Sequence, residues 1–441
     1  MNNCNKSYSR GRWRFVTLAL TLTTLAAVLS CCSDVRREPE DKPAAQELKV
    51  LYADRESFYR DYGNFIMLRL PDIQFKVIPT ASLYGGDRPA NEVLTELITE
   101  RRPDLMFLLP HQQRLLQQRR ELLPLDGLLD EDTLANVPAN VKALLASDRE
   151  GDSGLYGVPT SFNTELLLYN KDLFANSGIP LPSGGMSWQS FIDLARRFAG
   201  STAAGFYSMG SGPASLTLKV GSSEGLAYVN KERTAMTFDT AGWAKVVEKI
   251  KPLYEDGVVL EASGALFDDP FLDGKAAMTI RGVDYYRQLE RTNVPFKWGV
   301  APAPGGDPSR IPLDLMEVMA ISRDSVNAEA AAAVIQFIMN DSLNVLEKSI
   351  KSALPATLAS PISQDPEHPL HFMYTQSANP NFRLNEERLQ GLSESFLRDY
   401  TAFLMDQMQK IVDGQLDVRE GLHSIEEYSN ALLGSERSKG G

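Results

Sequence analysis

Residues Leu155–Phe174 read LYGVPTSFNTELLLYNKDLF, and the rest of the chain is organised around them. Gly157 and Pro159 punctuate a turn. Glu165–Tyr169 follows as an apolar run short enough to be a buried strand, which Asn170-Lys171-Asp172 ends. Between turn and strand, Thr160–Thr164 reads as backbone passing between two lobes, with its polar side chains facing the gap. Such a segment can hinge two lobes and also line what they enclose.

Upstream, Leu48–Tyr52 and Ile73–Ile78 read as strands, and Leu105–Leu109 as a third after Pro103-Asp104. Val93, Leu94, Leu97 and Ile98 keep helical spacing within Asn91–Ile98. Strand, helix and strand at these spacings predict βαβ units and a mainly parallel sheet. Ligands of such sheets bind beyond the carboxyl ends of the strands. That rule nominates Asp54, Arg55 and Glu56, the segment from Thr80 to Tyr84, and His111 with Gln112. Each has a plainer reading: Asp54–Glu56 also fits a solvated loop with a surface ion pair, and His111 a loop decoration.

Downstream, Ser187 can cap a helix with Trp188, Phe191, Leu194 and Phe198 on one stripe. Ala241–Tyr254 repeats the pattern around Trp243, so both tryptophans belong to packing. Gly205–Pro213 is glycine-rich but lacks dinucleotide-binding spacing. Its Tyr207 and Met209 are candidates to reach the gap from the second lobe. Ala276–Ile280 reads as a strand, with Arg281–Tyr286 at its carboxyl end. Glu317–Ile321 reads as a strand returning to the first lobe, and Ala328–Met339 as an alanine-rich helix. Phe396, Tyr400, Phe403, Leu404, Met408 and Ile411 keep helical spacing near the C-terminus.

The 441 residues, 43% hydrophobic and 23% charged, fit a globular protein of two or more domains. The formal net charge is −12, and residues 1–30 hold Lys6, Arg10, Arg12 and Arg14 but no acid, so the remainder is more acidic still. An acidic surface argues against a nucleic-acid groove, which needs clustered Lys and Arg. The basic start, the apolar run Phe15–Leu29 and small Ser30 make residues 1–30 a signal peptide, the run being too short to span a bilayer. All three cysteines (Cys4, Cys31, Cys32) fall in the first 32 residues, so the globular part holds no disulfide, thiolate nucleophile or cysteine–zinc site. Residues 33–46, SDVRREPEDKPAAQ, read as a flexible tether. Four histidines are present, and His368-Pro-Leu-His371 is the nearest approach to a metal pair. There is no P-loop or G-x-S-x-G elbow, and the acid pairs Glu131-Asp132 and Asp268-Asp269 are adjacent rather than convergent. Neither metal, cofactor nor catalytic residue is expected.

The passages YGVP…N…LLLYNKDLF (156–174) and Ser187-Trp188-Gln189-Ser190-Phe191, with Phe267–Ile280, together resemble the extracellular solute-binding proteins of ABC importers, the family that includes the maltose-binding proteins. Val28-Leu29-Ser30-Cys31 is similar to a bacterial lipobox, with Cys31 as the lipid acceptor and Cys32 as its rival. The resemblance implies a type II periplasmic-binding-protein-like α/β fold, two lobes with mainly parallel sheets joined by a hinge. It implies a lipidated tether at 31–46, a first lobe of 47–160 plus 303–340, and a second of 165–299 plus 345–441. Hinge crossings are expected at 160–164 and at 299–304, where Trp298-Gly-Val-Ala-Pro302 is similar to the family's second crossing. The implied partners are a small solute, the transmembrane subunits of an ABC permease, and the extracellular membrane face through the lipid alone; a monomer is expected.

Sugar-binding relatives stack aromatic faces on the pyranose and hydrogen-bond its hydroxyls. By that likeness Tyr84, Phe162, Tyr207 and Tyr285 are candidates for stacking, and Asp54, Asn163, Arg281, Asp284 and Asp314 for polar contacts. Two passages depart from the family. Asp284 stands where such relatives often carry tryptophan, and Leu313–Ile321 replaces a glycine-rich passage. A sugar or oligosaccharide remains the leading solute class. The other readings are a two-lobed surface sensor uncoupled from transport, and a glycan-acting enzyme, which product formation would reveal.

Overall fold

Strand β1 (Gln46–Tyr52) carries buried residues on both faces, as a central strand of a covered sheet must. In the computed structural model the described residues are 46–83, 88, 90–146, 154–210, 212–261, 269–340, 353–390 and 392–439. Cys31 and its flanking segments, Tyr84 and residues 262–268 lie outside them.

After β1, Asp54 caps the short helix α1 (Arg55–Phe58), and a π-helical turn follows at Tyr59–Gly63. Strand β2 (Ile73–Pro79), helix α2 (Ala90–Arg101), strand β3 (Leu105–Leu108), helix α3 (Pro110–Gln118) and helix α4 (Ala139–Leu145) come next. Strand β4 (Val158–Pro159) then passes into β5 (Ser161–Asn170), the ten-residue strand at the centre of the quoted passage. Helix α5 (Trp188–Arg196), β6 (Phe206–Ser208), helix α6 (Ala241–Glu255), β7 (Val259–Glu261), β8 (Met278–Gly282), helix α7 (Val283–Arg291) and β9 (Trp298–Pro302) follow. The last part holds β10 (Arg310–Ile311), β11 (Leu313–Leu315), β12 (Val318–Ile321), helix α8 (Ala328–Asn340), β13 (Leu354–Pro355), β14 (Ser377–Ala378) and helices α9 (Leu384–Leu389), α10 (Glu394–Val412) and α11 (Val418–Lys439).

Two main sheets result, ordered β2-β1-β3-β12-β4 and β11-β5-β8-β6-β7, with β9 and β13 also paired to β5. They are mixed rather than mainly parallel. The β1–β3, β6–β8 and β6–β7 pairs are parallel, as βαβ connections require. Strands reached from the other sheet arrive from the opposite direction. So β12 runs antiparallel to β3 and β4, and β5 antiparallel to β8, β9, β11 and β13.

The chain changes sheet at Thr160, between β4 and β5, and again between Leu315 and Val318. Residues 299–304, expected at the second crossing, do not make it. β9 stays in register with β5 from Asn170↔Trp298 to Leu166↔Pro302, because its apolar side chains cover the same core. Three strands lie side by side at the change: Thr160 N donates to Glu317 O at 2.9 Å, Met316 N to Ser161 O at 2.9 Å, and Ala356 N to Thr160 O at 3.1 Å. Residues 357–376, expected with the second lobe, are held to the first sheet's helices. Thr357 Oγ1 donates to Met339 O, and Asn140 Nδ2 to Met373 O and Gln376 O.

Side-chain oxygens of Ser187, Thr240 and Ser393 accept the amides that start α5, α6 and α10. Trp188 and Trp243 are buried in separate clusters, while Trp298 packs edge-on against Tyr286 at 5.5 Å. Trp243 lies so close over Gly221 that a Cβ there would enter its ring. Close approach also explains Gly157: a Cβ would stand 2.6 Å from Val318 Cγ1, so the quoted turn packs directly on β12.

Candidate functional site

A cavity of about 660 Å³ opens between elements of the two sheets, a size ordinary for a small-molecule site. One wall comes from beyond the carboxyl ends of β1 and β3: Tyr52, the π-helical turn with Asp61 and Tyr62, and the first turns of α3. The floor is the sheet change itself, Thr160-Ser161 and Leu313–Glu317. The far wall is Asn379, Pro380, Phe382 and Arg383 with Glu387 on α9.

The wide turn at Tyr59–Gly63 brings Asp61 and Tyr62 onto the cavity, while Phe58 anchors it among Tyr52, Phe75 and Phe107. Tyr52 Oη donates to Asp61 Oδ2 at 3.0 Å, and Arg60 Nε to Asp61 Oδ1 at 2.8 Å. Across from Asp61 stands Glu317. Burial and the charge of Asp61 push its carboxyl up to about 7, against the hydroxyls of Tyr52 and Tyr62. Burial likewise raises both tyrosines well above the ordinary phenol value.

At the other end, Arg114 of α3 meets Glu387 of α9 in a bidentate pair, Nη1–Oε2 and Nη2–Oε1 both 2.9 Å. This pair joins a helix packed on the first sheet to one tied to the second-sheet side, where Asn385 Nδ2 donates to Leu226 O and Ser222 Oγ. Arg383 Nε approaches Asp314 Oδ1 at 3.3 Å. Burial raises the Asp314 carboxyl while Arg383 opposes the shift. Burial holds the His111 imidazole below its ordinary value, so at neutral pH it is uncharged.

Of the residues nominated by sequence, His111 and Asp314 line this cavity. Asp54 does not: its carboxylate is taken up as the N-cap of α1, accepting from Ser57 N at 2.8 Å. Arg55 and Glu56 border a separate surface depression with Tyr59 and Arg60. The Thr80 amide donates to Tyr52 O just after β2, but Thr80 itself is not part of the cavity wall. Phe162 is fully buried with its ring edge-on to Tyr374, since on the sheet-crossing strand it faces the core. Tyr207 on β6 and Tyr285 on α7 are buried too, and Tyr285 Oη donates to Asp269 Oδ2 at 2.9 Å. None of these three rings presents a face for stacking. Arg281 lies over the Tyr285 ring at 4.0 Å, and Asn163 pairs in register with Asp314. Asp284 is exposed on the first turn of α7. Arg281, Asp284 and Asn163 lie outside the cavity wall. Tyr84 lies outside the described residues.

Sequence reading missed Asp61, Tyr62, Arg114, Glu317, Arg383 and Glu387. Glu317 was legible as the second of two acids in LDLMEVMAI, immediately before an apolar strand, whereas nothing local marks Arg114 and Glu387, which are 273 residues apart. His368 Nδ1 accepts from Leu370 N in a turn, and among the described residues no group of three or more His, Cys, Asp or Glu could hold a metal.

The family model described as bacterial extracellular solute-binding protein matches residues 71–343. An uncharacterized lipoprotein from the oleD 5′ region of Streptomyces antibioticus is 25% identical over 230 residues, 49% of this chain, and the match spans only half of that curated relative's length. The sugar-binding protein MalE from Xanthomonas citri shares the fold at a TM-score of 0.64 and 16% identity, over 89% of this chain and 98% of that one. A family 1 extracellular solute-binding protein from Alicyclobacillus acidocaldarius does so at 0.63 and 17%, over 88% and 98%. With more than half of its length matched by that model, the chain belongs to the bacterial extracellular solute-binding proteins.

Proposed function

We propose that this chain is the solute-capturing subunit of an ABC importer, tethered outside the membrane through lipid on Cys31, and that it takes a sugar or oligosaccharide into the cavity between its two sheets. The observation that carries this reading is a cavity walled from both sheets and floored by the strands that pass between them. A solute bridging both walls favours the closed arrangement by its differential affinity for it, and the permease then reads the closed shape. The polar wall of acids, arginines, Ser161 and Asn379 suits a ligand rich in hydroxyls. The MalE likeness gives carbohydrate the first place among solutes.

Titration calorimetry against a carbohydrate panel tests the solute class, with mass spectrometry of whatever co-purifies in the cavity. Binding of at least one saccharide, recovered unchanged, is expected. Silence to every sugar with binding of a peptide or polyamine would remove the assignment, and product formation would make the protein an enzyme. For the anchor, Cys31→Ser is expected to release the protein from the membrane fraction; unchanged retention would refute lipidation there.

A further inference from the structure

We propose that the end of the cavity bounded by Asp61 and Glu317 receives a protonated amine, so that the solute is a basic saccharide, an amino sugar or its short oligomer. The inference rests on the solute-binding reading above and narrows its ligand class. Asp61 and Glu317 both face the cavity, and the arginines on its wall are engaged elsewhere: Arg114 with Glu387 and Arg383 with Asp314. Arg60, which pairs with Asp61, is outside the wall and 65% exposed, so water largely screens its charge.

Two carboxyl groups facing one partly dry space repel each other unless a cation or a proton intervenes. Burial and the charge of Asp61 give Glu317 an affinity for a proton that a free glutamate lacks. An ammonium group resolves the repulsion better. It brings a full charge and three donors, enough to meet both carboxylates and one further acceptor. A neutral hydroxyl brings one donor and no charge.

A second observation points independently to a ligand. Gln117 of α3 lines the same cavity and is only 5% exposed, yet its Nε2 has no hydrogen-bond partner. Its Oε1 is already occupied by Gln113 Nε2 at 3.1 Å. A buried amide left with free donors costs stability unless an acceptor arrives, and a saccharide hydroxyl or ring oxygen is such an acceptor. Phe382, half-buried on the far wall, offers apolar surface for a sugar ring in place of the buried Phe162, Tyr207 and Tyr285.

The test is calorimetry at pH 7 on the full mature chain, using glucosamine dimer and trimer, their N-acetylated counterparts, and maltose and maltotriose. Glucosamine oligomers are expected to bind at least ~10-fold more tightly than either neutral series, the size of one desolvated charge contact. Glu317→Gln and Asp61→Asn are each expected to reduce that preference by ~10-fold, with circular dichroism melts verifying that the variants fold. Neutral oligomers binding as tightly as the amines, or a preference that survives both substitutions, would overturn the inference and leave the solute-binding reading standing. Failure of every saccharide to bind would overturn both.

Discussion

Cutting the ion pair that spans the cavity should open the protein by a measurable amount. Arg114 and Glu387 meet with both N–O distances at 2.9 Å, and their side chains are 41% and 25% exposed. Exposed pairs contribute at most about 1 kcal/mol, and bidentate geometry puts this one near that upper value rather than above it. Losing about 1 kcal/mol from an arrangement that holds the pair shifts its balance with one that lacks the pair about 5-fold. Arg114→Ala and Glu387→Ala should therefore enlarge the radius of gyration of the solute-free protein in small-angle scattering. The double variant should differ little from either single one, because the pair is lost only once. Salt discriminates further: near 1 M the Debye length falls to about 3 Å, so wild type should approach the variants. Scattering curves that superpose for wild type and both variants at low salt would refute a role for the pair in holding the two sides together. Affinity alone would not decide, since both residues also line the cavity.

Glu317 gives a pH signature. Its native carboxyl holds a proton up to about 7, whereas in the unfolded chain it loses that proton near the ordinary 4.5. Between those values the native state binds more protons, so this group's contribution is fully present below about 4.5 and is lost as pH rises to 7, up to about 3 kcal/mol. Glu317→Gln should flatten that part of a denaturation-midpoint profile; an unchanged slope would place the group in water. Gly221 lies in the helix Gly212–Ser223, so Gly221→Ala adds helix propensity of up to about 1 kcal/mol but drives a methyl into the Trp243 ring, and a net loss of about 1–3 kcal/mol is expected in urea titration. A stabilised variant would contradict the packing. Asp54→Ala should lower stability through loss of the α1 cap and leave solute affinity within twofold; a large affinity loss would return Asp54 to the site.

Local pattern determined much of the architecture by itself. Apolar runs placed β1, β2, β3, β5 and β12 to within a few residues, and helical stripes around Trp188 and Trp243 placed α5 and α6 with both tryptophans in the core. These signals are legible because burial of a strand or of one helix face is written in residues that are neighbours along the chain. His111 was within reach because it stands beyond the carboxyl end of a strand that local pattern reveals, whereas Asp314 was nominated only through the likeness to sugar-binding relatives. Only tertiary structure decided where the chain changes sheet. β9 and β11 are both short strands, yet pairing to β5 keeps both in one sheet and moves the change to Leu315–Val318. It also decided which acids are bound up locally and which face the cavity. Asp54 is an N-cap while Asp61, seven residues on, meets Glu317, because a π-helical turn and a strand from the far end of the chain converge on one space. Convergence over hundreds of residues leaves no periodic trace, and the chemistry of this cavity is made of it.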